Sequence, residues 1–302
     1  MHRLFFSFAF LSCFSWLSAQ QTTNRGMKVI NYNVLHGFNS DSLLENRFVD
    51  WANGQGADIF SFQELNGFTE ERLAALAKRY GHSYVAINTD VTHPIGLTSR
   101  FPITNVQRET VNMWHSYLYG HINGLHVFVT HLSPFEVKLR RQDVDLILAK
   151  AKQVPAGEGV IIAGDFNALA AKDSAQYSME LLTAMRRSEG RLEPKSGQAI
   201  VKGKTIYRNN LDNGHIDYTV TNKMIAAGFN DAYYLTNKVF KNSVPTKGHA
   251  SKNSKLRRID YIWVNNALAK RVKAVDIIQD EQTHTLSDHY PVVMTVETTQ
   301  GK

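Results

Sequence analysis

Cysteine is nearly absent, with one in 302 residues, so no disulfide scaffold holds this chain together. Proline is scarce too, at 7 residues, and no Pro-, Gly- or Ser-rich stretch marks a linker between domains. A dominant charge of one sign is also missing. Thirty-four Lys and Arg face 27 Asp and Glu, a net +7, which suits a phosphate-bearing ligand without demanding one. Beyond residue 20 no apolar run approaches the roughly 20 residues that a bilayer crossing needs. What remains is an ordinary globular composition, 43% hydrophobic and long enough to bury a large core. Collagen-like, low-complexity and disordered chains are excluded.

The first twenty residues, MHRLFFSFAFLSCFSWLSAQ, stand apart. Arg3 gives a short positive start, Leu4 to Leu17 is apolar, and Ser18-Ala19 offers a small-residue cleavage site. This is the pattern of a secretory signal peptide. Residues 1–19 are therefore expected to be removed on export, taking Arg3 and the lone Cys13 with them. A soluble single domain over 20–302, secreted or periplasmic, is the expected product, with no stable membrane insertion and no protein partner. An uncleaved anchor and a lipoprotein attached through Cys13 are weaker fits.

Along the rest of the chain, short β-rich runs alternate with amphipathic stretches. Met27 to Val34 alternates like a strand, and Ser42-Leu43-Leu44-Glu45 reads as a capping box opening a helix. Ala57 to Leu65 reads as a second strand, and Thr69 to Tyr80 as a helix with Thr69 as its cap. Asn123-Gly124 between two alternating runs predicts a tight hairpin. Helices are expected from about Phe135 to Lys152 and from Ser174 to Arg187, with a buried strand over Gly159 to Ala163. Further strands are expected at Ile216–Val220, Arg258–Val264 and Pro291–Val296. The polar stretches Glu189–Gly214 and Lys241–Leu256 read as long surface excursions.

The chemistry concentrates where apolar runs stop. Asn31-Tyr32-Asn33, Phe62-Gln63-Glu64, Thr130-His131-Leu132, Gly164-Asp165-Phe166-Asn167 and Ser287-Asp288-His289 each place amide, carboxylate or imidazole groups at a strand end. Arg258-Ile259-Asp260-Tyr261 lies inside a strand run. Gathered at one rim, such oxygens suit Mg²⁺ or Mn²⁺, hard ions that take oxygen ligands. Zinc fits less well, because there is no HExxH and no cysteine pair. Taken singly, each string has an ordinary structural reading as a turn, cap or satisfied polar group.

In order and spacing, the strings NYNVLHG, FQEL, THLSP, AGDFNA, RIDYIWV and SDHYPV resemble the endonuclease/exonuclease/phosphatase superfamily, which includes deoxyribonuclease I. The resemblance covers about Lys28 to Glu297. It implies an α/β four-layer sandwich of two packed mixed β-sheets flanked by helices, with the active site at one rim. It further implies a divalent-metal-dependent phosphoesterase. Glu64 would be the principal metal ligand, with Asn33 and Asp288 near the metal or its waters. Asp165 would orient or deprotonate the attacking water, and Asn167 would hold a phosphate oxygen. His289 would pair with Asp260, and His131 would reach the phosphate from the other side. Either Asp165 or the His289–Asp260 pair could be the base, with His131 as acid in the second scheme. Asp217 repeats the Ile-Asp-Tyr pattern of Asp260, but Arg258 before Asp260 and the later Ser-Asp-His favour Asp260. His36, His115, His121 and His249 are further candidates for the site's lining.

The substrate is less constrained. Lys202, Lys204 and Arg208, then Lys247, Lys252, Lys255, Arg257 and Arg258, put positive charge in or near both excursions, which could track a polynucleotide backbone. Export and charge favour a phosphodiester, nuclease-type substrate. Sphingomyelinase-like lipid hydrolysis, a sugar- or inositol-phosphate phosphatase, and a catalytically silent binding module are the alternatives.

Overall fold

In the run Met27–Asn33, Val29 turns to one face while Ile30 and Tyr32 turn to the other, and all three are fully buried. A strand buried on both faces must be covered on both, and this sets up layers. The computed structural model describes residues 26–190 and 207–297 in full, with the backbone alone at 201–202 and 205–206. The expected signal peptide and part of the 189–214 excursion lie outside the described residues.

The first sheet contains β1 (Met27–Asn33), β2 (Ile59–Gln63), β3 (Tyr84–Asn88) and β4 (Ile95–Ser99). The second contains β5 (Ile103–Glu109), β6 (Ser116–Ile122), β7 (Leu125–His131), β8 (Gly159–Asp165), β9 (Phe229–Asp231) and β10 (Asp260–Asn265). The chain then returns to the first sheet with β11 (Val272–Ile277) and β12 (Val292–Val296). The strand orders are β11-β12-β1-β2-β4-β3 and β9-β10-β8-β7-β6-β5. Each sheet is mixed, with one parallel pair at its centre: β1 with β2, and β7 with β8.

One apolar cluster joins Val29, Ile59 and Leu97 of the first sheet to Val127, Ile161 and Ile262 of the second. The sheets therefore pack face to face. Outside the first sheet lie α1 (Ser42–Gln55) and α2 (Glu70–Lys78), whose Phe48, Trp51, Leu73 and Leu76 cover Ile30, Phe60 and Phe62. Outside the second lie α3 (Val137–Ala151) and α5 (Thr219–Ala226), with Val144, Ile147, Val220 and Met224 over Phe128, Ile162 and Trp263. Each such side chain contributes roughly 1.5–3 kcal/mol by leaving water. The result is the four-layer sandwich that the resemblance implied. α4 (Met179–Ser188) packs into a smaller cluster with Leu169, Leu211 and Ile259.

Local signals mostly hold. Asn123 and Gly124 both take positive φ, 46° and 77°, as a two-residue hairpin between β6 and β7 requires. Thr69 caps α2, accepting from the Arg72 N–H at 3.2 Å. At α1 the cap is Asp41, one residue before the expected Ser42. Its carboxylate accepts from the N–H groups of Leu43 and Leu44 at 2.8 and 3.3 Å, and its charge also favours the helix N-terminus. Glu45, released from a capping box, pairs instead with Arg72 of α2 and with Arg79 at its C-terminal end.

Three expectations fail. Ile216–Val220 is not a strand: only His215–Ile216 pairs, and α5 begins at Thr219. Val220 and Met224, four residues apart, both bury against the second sheet, and this outweighs the β preference of Tyr, Thr and Val. The helix expected from Ser174 is split into a 3₁₀ turn (Ala171–Gln176) and α4, which restarts behind Ser178. β10 also starts at Asp260, so Arg258 and Ile259 sit just ahead of it.

Asp143 of α3 is buried and accepts from the Trp114 N–H at 3.0 Å. Burial lifts its carboxyl to about 7. A raised carboxyl pKa means that the unfolded chain ionises first, so this group's stabilising contribution is lost as pH rises from about 4 to 7. Asp143→Asn keeps the acceptor oxygen and removes the titration. Urea unfolding should therefore show the variant gaining about 2 kcal/mol on wild type between pH 5.5 and 7. Parallel pH curves for the two proteins would contradict this account.

Candidate active site

The period of a strand explains where the polar groups go. In β7, Val127 and Val129 face the other sheet, and so does His131 two residues further on. In β8 the same face carries Ile161, Ala163 and then Asp165. In β10 it starts with Asp260, followed by Ile262 and Val264. Pairing sets Ser116 opposite His131, His131 opposite Asp165, and Asp165 opposite Asp260. Three of the expected residues thus form one cross-strand row at the rim, on the face turned toward the first sheet.

The first sheet answers with Asn33, paired to Gln63, and with Glu64 immediately after. Deeper in, Ser61 and Gln63 both donate to the Asn31 Oδ1, at 2.7 and 2.9 Å, which braces the rim from below. Asn33 spans the two sheets. Its Nδ2 donates to Glu64 Oε1 at 3.2 Å and to Asp165 Oδ2 at 3.3 Å, while its Oδ1 accepts from the Leu35 N–H.

After β1 the chain makes a left-handed turn. Leu35, His36, Gly37, Phe38, Asn39 and Ser40 all have φ between 45° and 65°. Only glycine takes this conformation freely, and each other residue costs roughly 1–2 kcal/mol. Gly37 cannot be replaced, because a Cβ there would sit 2.2 Å from the Asn66 carbonyl oxygen. The turn is held at both ends of its strain. Phe38 packs on Phe48 with centroids 4.9 Å apart. The His36 N–H donates to Glu64 Oε2 at 3.0 Å and the Gly37 N–H to the Glu64 carbonyl at 2.6 Å. Glu64 itself has φ 61° and Asn167 φ 47°, further strained residues of the kind that gather at functional sites.

The Ser287-Asp288-His289 segment closes the site. The Ser287 hydroxyl donates to the Asn33 carbonyl at 2.8 Å and accepts from the His289 N–H at 3.2 Å. His289 Nδ1 bonds Asp260 Oδ2 at 2.9 Å, which turns Nε2 toward Asp165 at 3.8 Å and Asp288 at 3.9 Å. His131 Nε2 lies 3.5 Å from the same Asp165 oxygen. Asp165 Oδ1 accepts from the Asn167 N–H at 2.8 Å, and the Asn167 amide donates to the Leu132 carbonyl at 3.0 Å. Arg258, fully buried and paired with Asp173 and Asp231 at 2.9 and 2.6 Å, fixes the entry to β10. Ser243 accepts from the N–H groups of Ile259 and Asp260.

Charge follows this geometry. Burial pulls the His289 imidazole down, but Asp260, Asp288 and Asp165 outweigh it and hold its pKa well above the ordinary value. For His131, burial is likewise outweighed, by Asp165 and Glu64, and its pKa is raised. Burial pushes the Asp165 and Glu64 carboxyls up, yet both end below the usual range. His131 and His289 draw both down, helped by the Asn167 N–H at Asp165 and by the His36 N–H and Asn33 at Glu64. Asp165 and Glu64 are thus held toward the ionised form and the two imidazoles toward the protonated form, whereas burial prevails at Asp260 and raises its carboxyl pKa.

All eight expected residues therefore meet at this rim. Of the additional histidines, His36 reaches Glu64 at 3.5 Å, and His115 stacks on His131 at 5.0 Å. His93, which nothing in its loop sequence marked out, links them, with centroids 5.6 Å from His36 and 5.3 Å from His115. His249 bonds Thr246 near the surface, and His121 lies at the opposite end of the second sheet. Asp217 is occupied elsewhere, by Arg141 and Thr219.

The model of the Endonuclease/Exonuclease/phosphatase family matches residues 30–289, a span that starts in β1 and ends at His289. The chain belongs to the endonuclease/exonuclease/phosphatase family. Membership places it among hydrolases of phosphoester bonds. Solved structures agree on the fold. A 3'-5' exonuclease from Neisseria meningitidis superposes with TM-score 0.63 at 16% identity, over 90% of this chain and 100% of its own. A 3' phosphatase from Neisseria bound to product DNA hairpin gives 0.62 at 16%, over 89% and 99%. An AP endonuclease from Archaeoglobus fulgidus gives 0.61 at 14%, over 90% and 99%. No curated protein sequence matches the chain.

The family's rim also offers donors for a cation. Asp165, Asp260 and His289 bring three ligand atoms within 4.8 Å of one another. His289 Nδ1, however, is already committed to Asp260, so this trio reads as a proton-holding pair beside a carboxylate. Glu64 is the better oxygen donor. Two of its roughly four lone-pair sites are taken, by Asn33 and His36, and its side chain keeps 14% exposure.

Proposed function

We propose that this family member is an exported, Mg²⁺- or Mn²⁺-dependent phosphodiesterase of nuclease type. The observation that carries the reading is the cross-strand row His131–Asp165–Asp260, completed by His289 and faced by Glu64. Hard oxygen donors at Glu64 and Asp288 suit Mg²⁺ or Mn²⁺. Asn33, whose Nδ2 bridges Glu64 and Asp165, positions both and keeps one Oδ1 lone pair toward the metal or its waters. Glu64 and Asp288 would hold the divalent ion, which when bound would supply charge neutralisation for the non-bridging phosphoryl oxygens.

The chain's own groups supply the rest. His131 and His289 present N–H donors from two sides of Asp165, and the Asn167 amide keeps one hydrogen beyond its bond to Leu132, donors suited to charge developing on a phosphoryl group. Asp165, ionised and lying between the imidazoles, takes the proton of an attacking water. Asp260 holds the tautomer and charge of His289, so that Nε2–H faces the substrate and can protonate the departing oxygen. A base role for His289 fits less well, because three carboxylates keep it protonated.

Polynucleotide is favoured by the exposed Lys247 and Lys252 and the part-buried Arg257, and by the DNA-acting relatives of similar fold; Arg258, expected among these basic residues, is buried in its ion pairs and takes no part. Export rests on the first 19 residues, and so does a secreted or periplasmic location. The protein lacking its first 20 residues should be assayed with Mg²⁺ and Mn²⁺ on plasmid DNA, RNA, sphingomyelin, bis-p-nitrophenyl phosphate and inositol phosphates. Metal-dependent cleavage of DNA or RNA is expected, absent with chelator. Preferred turnover of phosphomonoesters or sphingomyelin would replace the nuclease reading, and folded, metal-binding silence on every substrate would replace catalysis with binding.

A further inference from the structure

We propose that His121, His126 and Glu158 form a second cation site, selective for a borderline first-row ion such as Zn²⁺, at the end of the second sheet remote from the catalytic rim. His121 and His126 face each other across the β6–β7 hairpin as a directly paired cross-strand couple, one step from the Asn123-Gly124 turn. Their ring centroids are 4.9 Å apart. Glu158 precedes β8, which runs beside β7, and places its carboxylate 2.5 Å from His126 Nε2. One ligand atom from each of the three lies within 4.8 Å of the others. Bringing them to the roughly 3.3 Å spacing of a tetrahedral ion with 2.0–2.1 Å bonds needs only small side-chain rotations. His121 is half-buried and Glu158 exposed, so both have that freedom.

Two further features go beyond proximity. His126 is oriented from behind, because the Tyr119 hydroxyl bonds its Nδ1 at 2.8 Å. Here Nε2–H donates to Glu158 Oε2. An incoming cation would displace that proton, with Nδ1–H then donated to the Tyr119 hydroxyl, the outer-shell arrangement typical of ligating histidines. The Glu158 backbone is also fixed, since the Asn265 side chain donates to its carbonyl at 2.8 Å. Among the described residues no Lys or Arg pairs with the Glu158 carboxylate. Two imidazoles and one carboxylate suit Zn²⁺ and leave a fourth position for water, whereas Mg²⁺ prefers an all-oxygen set. His126 lies five residues along β7 from His131, about 17 Å away, so this site and the catalytic rim do not share a ligand.

The test is a Zn²⁺ titration against a chromophoric chelator, on metal-stripped protein held in excess Mg²⁺. It should be run in wild type and in a Glu64→Gln background, which weakens the catalytic rim. One Zn²⁺ per chain is expected in both. His121→Ala should weaken it by at least about 100-fold, Glu158→Gln should weaken it measurably, and Tyr119→Phe should weaken it by about 10- to 100-fold. Mg²⁺-dependent hydrolysis should be unchanged in these three variants. Co²⁺ provides a check independent of affinity: a four-coordinate visible band in wild type, lost in Glu158→Gln, whose exposed side chain leaves folding intact. Equal Zn²⁺ binding in wild type, His121→Ala and Glu158→Gln would overturn the site. So would loss of all Zn²⁺ binding with Glu64→Gln alone.

Discussion

Glu64→Gln should lower phosphoester hydrolysis by about 10³-fold while leaving the thermal transition where it is. The side chain keeps its length and one acceptor oxygen, so the His36 N–H retains its partner and the left-handed turn survives, with only the Asn33 Nδ2 bond given up. What goes is the negative charge that holds a divalent ion. Losing that electrostatic help is worth several kcal/mol, and roughly 4 kcal/mol corresponds to this factor. Mg²⁺ affinity, measured by calorimetry, should fall together with kcat/KM. Glu64→Ala is the less informative change, because the strained turn would lose its brace as well. Full activity in Glu64→Gln would remove this residue from the proposed metal site.

Asp260 should carry an effect of similar size by a different route. Asp260→Asn leaves a partner for His289 Nδ1 but removes the nearest of the carboxylates that raise its pKa. The imidazole then loses its proton at lower pH, so the alkaline limb of the kcat profile should move toward neutrality. At pH 8 the fraction of enzyme with a protonated His289 falls, and kcat should drop by about 10²- to 10⁴-fold, the range for losing a positioned acid. His289→Ala should lose as much at every pH, with no limb to shift. A rate loss in Asp260→Asn that is uniform in pH would instead assign Asp260 an orienting role alone.

The two proposals depend on residues that were readable in very different degrees. Asp165, Asp260 and Glu64 could be found because each ends or begins an apolar alternating run, and a period-2 element fixes which face such a residue shares with its neighbours. The Asn123-Gly124 turn and the Thr69 cap were equally local and equally legible. What could not be read is whatever depends on contacts between distant segments. His93 sits in a Val-Thr-His-Pro loop with no periodicity, and only the fold brings it between His36 and His115. The left-handed turn at 35–40 violates local preference at nearly every residue, and it is held by Phe38 packing on Phe48 and by Glu64, neither adjacent in sequence. Tyr218-Thr219-Val220 reads as β by its side chains, yet Val220 and Met224 gain more by burying one helical face together.

The cross-strand row has a consequence for how this enzyme can change. His131, Asp165 and Asp260 are locked to one another by the hydrogen bonds of a six-stranded sheet, so their spacing is a property of the framework. The segments 89–94, 110–115 and 247–257 lie outside those strands, whereas Ser243, which holds the Asp260 N–H, belongs with the framework. Under the proposed function, the chemistry of this row and the choice of substrate would reside in separable parts of the chain. Exchanging the outer segments for those of another family member should redirect the enzyme to a new phosphoester without rebuilding its chemistry, a form of modularity that a loop-borne active site would not permit.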